Sequence, residues 1–137
     1  ISCFVFLMNK FCANEDDAVS LTMSMFSDND ELASLVAELL DADRLIILSD
    51  TDGFYTGHPD DVDSKILNEV KVNQNVEKYV QVLDKKEGEG RGGMASKLKI
   101  AKCTAEKDIP TYIANGKTEN IIVDIIDNKE VGTKFIH

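Results

Sequence analysis

The run Arg44-Leu-Ile-Ile-Leu-Ser49 constrains the fold more than any other stretch of this 137-residue chain. Its four consecutive aliphatic side chains show no polar alternation, the pattern of a strand buried on both faces of a parallel sheet. Such a strand needs covering layers on both sides. Just upstream, Leu32, Leu35, Val36, Leu39 and Leu40 recur at spacings of three and four, which predicts a helix over Asn29–Ala42. A helix leading straight into a doubly buried strand is α/β patterning.

The remaining elements extend that pattern. Asp50 to Ser64 reads as a loop with a small hairpin around Phe54-Tyr55-Thr56, followed by a helix near Asn75–Leu83. A glycine-rich loop, Gly88 to Gly93, leads into an amphipathic helix carried by Met94, Leu98, Ile100, Ala101 and Ala105 and ending near Asp108. Then come a strand over Pro110–Asn115, a short helix over Glu119–Ile126 and a terminal strand over Gly132–Ile136. With no internal repeat or linker, one domain over residues 1–137 is expected: a three-layer αβα sandwich with a mainly parallel sheet.

Charge and composition exclude several functions. A formal charge of -10 argues against nucleic acid as a partner, because phosphate backbones are held by an excess of Lys and Arg. Within that acidic chain, residues 85–102 carry six basic residues against two acidic ones, an island beside the glycine-rich loop. Cys3, Cys12 and Cys103 show no metal-ligand or disulfide-framework spacing, so reduced thiols and a cytoplasmic location are expected. The apolar run Ile1–Met8 is too short to cross a membrane and reads as a buried strand or helix. It opens the chain without a polar lead-in, as though mid-fold. With only His58 and His137, a Ser-His-Asp triad or a zinc site is not expected.

Three motifs carry chemistry. The first is Phe26-Ser-Asp-Asn-Asp-Glu31 at the start of the first helix, where Asp28 and Glu31 fit a capping box. Asn29 and Asp30, with Asn14 and Asp17 upstream, exceed what capping needs and suit a ligand bearing an ammonium group. The second, Ser49-Asp50-Thr51-Asp52-Gly53, stands at the carboxyl end of the buried strand, where open α/β sheets bind ligands. It is not a calcium loop, since Gly53 falls at its fourth position and not its sixth. A strand-end turn stabilised by Asp is the plainer reading.

The third, Gly88-Glu-Gly-Arg-Gly-Gly-Met-Ala-Ser-Lys97, combines backbone amides able to approach an anion with a helix start. Lys97 lies one turn into that helix, where the dipole disfavours a cation unless an anion is near, and a bound phosphate would resolve the conflict. The segment lacks the P-loop Lys after its glycine. Its formal G-x-G-x-x-G match follows a predicted helix, not the strand a dinucleotide site requires. Phosphoryl transfer needs chiefly positioning and positive charge around the moving group, and these parts are present.

Taken in order, Asn14-Glu-Asp-Asp-Ala-Val19, Phe26-Ser-Asp-Asn-Asp30, Leu48-Ser-Asp50 with Gly53-Phe-Tyr-Thr56, Gly92-Gly-Met-Ala-Ser-Lys97 and Val131-Gly-Thr-Lys-Phe135 resemble the nucleotide-binding half of the glutamate 5-kinases, within the amino acid kinase family. The likeness runs over about nine tenths of the chain. It implies that Asn14, Asp17, Asp28 and Asn29 hold L-glutamate. Ser49, Asp50, Arg91, Gly92, Gly93, Met94, Ala95, Ser96 and Lys97 would hold ATP, with Mg2+ carried by the nucleotide and no separate metal site. Lys97 would stabilise the transferring phosphoryl group while Asp30 orients the catalytic lysines. The implied product is γ-glutamyl phosphate, on the way to proline. Asp16, Ser27, Ser49 and Arg91 depart from the usual residues without removing a functional group.

An acetylglutamate or aspartate acceptor, or a nucleotide-binding module without catalysis, are the alternatives. Self-association is common in the family, so a homo-oligomer is open. Nothing in the sequence matches the family's amino-terminal half, with its phosphate-contacting lysine. The chain is therefore expected to be a partial domain that does not turn over alone.

Overall fold

A computed structural model of the chain describes residues 3–6, 29–80 and 93–137. In chain order the elements are β1 (Cys3–Phe6), α1 (Asn29–Leu39), β2 (Arg44–Ser49), β3 (Glu69–Lys71), α2 (Met94–Ala105), β4 (Thr111–Asn115), α3 (Ile121–Ile126) and β5 (Thr133–Ile136). The strands form one sheet in the order β1-β2-β4-β5-β3.

Strand β2 is buried along five of its six residues, as its unbroken aliphatic run requires. Leu45 and Ile47 enter one core with Ala33, Ala37, Leu98, Ala101, Ile113 and Phe135, under α1 and α2. Ile46 and Leu48 enter a second core with Tyr112, Ala114, Ile121 and Ile125, under α3. The chain is thus an α/β three-layer sandwich, and alternation of the strand's side chains feeds both layers. Each aliphatic side chain buried this way contributes about 1.5–3 kcal/mol.

The sheet is mixed. β2 pairs parallel with β4, from Leu45 opposite Thr111 to Ser49 opposite Asn115, and β3 pairs parallel with β5. The β1–β2 and β4–β5 pairs are antiparallel. Strand β5 runs back along β4 because the chain reverses at Gly132, whose φ of +69° is open to glycine. A Cβ at Gly132 would lie 2.5 Å from the Ile113 carbonyl oxygen.

Helices α1 and α2 both end about three residues earlier than expected, α3 starts two residues later, and one strand was not expected. Helix α1 ends at Leu39, three residues early, because Asp41 takes φ +50°. The Ala42 amide then reaches back to the Ala37 carbonyl and the Asp41 amide to that of Glu38, a Schellman closure. With Asp in place of Gly, the stop is silent in the sequence. Strand β3 was not anticipated: it is a three-residue edge strand with Val70 alone buried, too short for a period to register. At the expected hairpin arm Phe54–Thr56 a single antiparallel bridge forms, Tyr55 to Ile66, its second arm lying just beyond the expected bound at Ser64, and the Phe54 ring meets Phe135 edge-on at 6.3 Å. Of the helix expected over Asn75–Leu83, residues 77–80 are helical and 81–83 lie outside the described residues.

Candidate functional site

Connectivity decides where a site can form. After α1 the chain turns back within four residues into β2, and after α2 it turns back through Asp108 into β4. Since β2 and β4 are parallel, the amino-terminal ends of both helices lie at the carboxyl edge of the same strand pair. That edge is where open α/β sheets carry ligands.

Asp30 and Lys97 meet there, 67 residues apart in sequence. Lys97 Nζ donates to Asp30 Oδ2 at 2.6 Å. Asp30 is 2% exposed and Lys97 3%, so the pair is effectively dry. Each residue occupies the first turn of its helix. A carboxylate suits that position because the amide ends point toward it, and an ammonium does not. The electrostatic conflict at Lys97, which a phosphate was expected to resolve, is met within the protein by Asp30.

The neutralisation is incomplete. Asp30 Oδ1 is buried and has no hydrogen-bond partner among the described residues. An unsatisfied buried acceptor costs about 1–3 kcal/mol, more for a charged group, so this oxygen favours arrival of a further donor. Helix α2 adds amide dipoles: its N-cap is Gly93 in extended conformation, which has no side chain to cap with, and its first turn holds no acidic residue. A buried ammonium beside a helix start with a glycine N-cap is chemistry for holding an anion.

The carboxyl end of β2 supplies a rigid turn. Ser49 is buried, and its hydroxyl donates to Asp50 Oδ1 at 3.3 Å while accepting the Thr51 amide at 3.4 Å. Asp50 itself is exposed. Gly53 is required for packing, since a Cβ there would lie 2.7 Å from Thr133 Oγ1 and 3.2 Å from the Gly132 carbonyl carbon. Thr133 Oγ1 accepts the Phe54 amide at 2.7 Å, tying this turn to β5.

Two residues of this rim were not anticipated. Asn115 Nδ2 donates to Asp52 Oδ1 at 2.8 Å, joining the loops that leave β2 and β4, and the Gly116 amide donates to the Ser49 carbonyl at 2.9 Å. Tyr55 completes the cluster, its hydroxyl 3.4 Å from Asp52 Oδ2. Partial burial, and then the negative charge and hydrogen bond of Asp52, push the Tyr55 phenol above its ordinary value of 10.0. Asn115 is the expected end of strand β4, and it is so here, but its partner depends on strand order.

Other expected site residues are placed as follows. Met94, Ala95 and Ser96 form the first turn of α2, with Met94 half-buried and Ala95 exposed. Asn29 begins α1. Asn14, Asp17, Asp28, Arg91 and Gly92 lie outside the described residues. Among the described residues no group of three His, Cys, Asp or Glu could hold a metal ion. No helix among them is long and apolar enough to cross a membrane.

Comparison with known proteins gives a consistent result. Residues 4–115 match the amino acid kinase family. A glutamate 5-kinase of Bacteroides thetaiotaomicron is 43% identical over 125 residues, covering 90% of this chain and 34% of that protein. One from Clostridium perfringens is 39% identical over 129 residues, covering 90% of this chain and 47% of that one. The chain therefore spans between a third and a half of the length of these relatives. Among solved structures, carbamate kinase from Giardia lamblia bound to AMP-PNP superposes with a TM-score of 0.56 at 26% identity, over 80% of this chain and 32% of that one.

Proposed function

The chain belongs to the amino acid kinase family, and from that premise we propose that it is the nucleotide-binding half of a cytoplasmic glutamate 5-kinase, partnered by ATP and L-glutamate. The reaction proposed is transfer of the γ-phosphoryl group of ATP to the γ-carboxylate of glutamate. Its product is γ-glutamyl phosphate, an activated acid on the route to proline. The observation that carries this reading is the buried Asp30–Lys97 pair at the carboxyl edge of β2 and β4.

Each residue has a definite task in it. Lys97 holds its ammonium where negative charge moves from the leaving diphosphate to the acceptor carboxylate, and Asp30 keeps that ammonium from wandering. The first-turn amides of α2, at Gly93 to Ser96, receive phosphate oxygens, as helix starts do. Ser49 and Asp50 hold the nucleotide from the β2 side, while Asn14, Asp17, Asp28 and Asn29 bind glutamate. Arg91 and Gly92 complete the phosphate loop. The donor set fits a magnesium nucleotide, with anion-binding amides and a lysine. Magnesium carried by ATP would neutralise phosphate charge.

The single polypeptide is proposed to bind nucleotide without turning over. The test is the unfolding temperature and calorimetric affinity of the purified chain with Mg-ADP, with NADH as the control ligand. A rise with Mg-ADP that Lys97→Met abolishes is expected. A response to NADH alone overturns the reading, as does steady turnover of glutamate and Mg-ATP by the isolated chain for its partial-domain aspect.

A further inference from the structure

The Asp30–Lys97 pair is the first of three polar rungs that join α1 to α2 and the turn after it. One turn along α1, Ser34 Oγ lies 2.6 Å from Thr104 Oγ1, and one turn beyond that Glu38 meets Lys107. Asp30, Ser34 and Glu38 are spaced by four on one stripe of α1, and facing them are Lys97 and Thr104 of α2 and Lys107 in the turn that follows it.

The middle rung is short, part-buried and directional. Thr104 is fully buried, and its hydroxyl donates to the Ile100 carbonyl at 2.8 Å. Its one proton being used there, Thr104 Oγ1 accepts from Ser34, whose hydroxyl is the donor.

Around this bond the helices meet through Ala33, Ala37, Ala101 and Ala105, all buried. Alanine faces let the helices approach closely, but their ridges are shallow and resist axial sliding poorly. The outer rung cannot fix the register, because Glu38 and Lys107 are close to half exposed and such pairs contribute little. The inner rung cannot either, because a lysine on a flexible four-carbon stem follows its carboxylate through a small shift.

We propose that Ser34 and Thr104 are positioning residues: their hydroxyl–hydroxyl bond sets the axial register of α1 against α2, and so the point at which the Lys97 ammonium stands at the phosphate edge. The inference rests on the nucleotide reading above and adds two residues to it, neither of which touches the ligand.

The test compares Thr104→Val, which keeps the shape and removes the acceptor, with Thr104→Ser, which keeps the hydroxyl. Calorimetric affinities of the purified chain for Mg-ADP and for adenosine are measured in each. Adenosine has no phosphate for Lys97 to contact, so a register shift lowers the preference for Mg-ADP over adenosine, whereas general weakening of the fold lowers both affinities alike. In Thr104→Val that preference is expected to fall about tenfold, the size of one charge-assisted contact, and in Thr104→Ser to be retained. An unchanged preference in Thr104→Val overturns the proposal. Should that variant fail to fold, Ser34→Ala, at a half-buried position, is expected to show the same loss, and an unchanged preference there overturns it equally. If the unsubstituted chain shows no preference for Mg-ADP over adenosine, the nucleotide reading itself fails, an outcome distinct from the first two.

Discussion

Neutralising one member of the Asp30–Lys97 pair should destabilise the chain far more than neutralising both. Both side chains are at most 4% exposed, so Lys97→Met strands a buried carboxylate for which Lys97 is the one hydrogen-bond partner among the described residues. Asp30→Asn in turn strands an ammonium. Removing one partner of such a pair costs about 3–5 kcal/mol, whereas replacing both by uncharged groups is often close to neutral. At roughly 2 cal/mol/K per residue, unfolding 137 residues carries an entropy of about 0.3 kcal/mol/K, so each kcal/mol moves Tm by roughly 3–4 °C. Each single variant should lose roughly 10–17 °C, and the double variant should melt well above either one. Circular dichroism melts of the four proteins close the double-mutant cycle. Additive losses, with the double variant melting lowest, would refute the reasoning. That result would mean that the two charges are each solvated independently and that Lys97 is not held by Asp30.

Two further outcomes follow from the rim. Gly132→Ala should destabilise by more than about 2 kcal/mol, combining a left-handed backbone with a Cβ 2.5 Å from the Ile113 carbonyl oxygen. A chemical-denaturation midpoint within error of the original would contradict the close approach. Tyr55 should ionise above 10 in a spectrophotometric titration, and Asp52→Asn should bring it down by removing the second and third causes of the shift while leaving burial, the largest, in place. Because the folded state holds this proton more tightly, the stability linked to Tyr55 is intact below its unfolded pKa. It is lost as pH rises through the folded one, so the effect belongs to the alkaline range. An Asp52→Asn titration superimposable on the original would show that Asp52 does not act on the phenol.

What the sequence made legible follows the range over which each signal acts. β2 was legible because four adjacent aliphatic residues leave no face for water. The strand feeding α3 and the terminal strand were legible because each is bounded by turn residues. Helix α1 was read too long because its stop is an aspartate at positive φ, and β3 was missed because one buried valine has no period. The antiparallel return of β5 depends on Gly132 meeting β4, a contact between chain neighbours only in space.

The same distinction divides the site. Lys97 could be singled out by a local anomaly, a cation in the first turn of a helix, and Asp30 by an acidic surplus beyond the needs of capping. Their pairing could not be derived from either anomaly, because it depends on α1 and α2 lying side by side with both starts at one edge. Ser34, Thr104 and Asn115 carry no local anomaly at all, since serine and threonine in a helix interior and asparagine at a strand end are ordinary. Their roles exist only once the helices and the loops after β2 and β4 are assembled. The residues that present charge to a ligand were therefore visible one helix at a time, and the residues that hold those charges in register were not. Substitutions at Ser34 or Thr104 are for that reason the sharper test of whether the assembled edge, and not the glycine-rich loop alone, determines how phosphate is held.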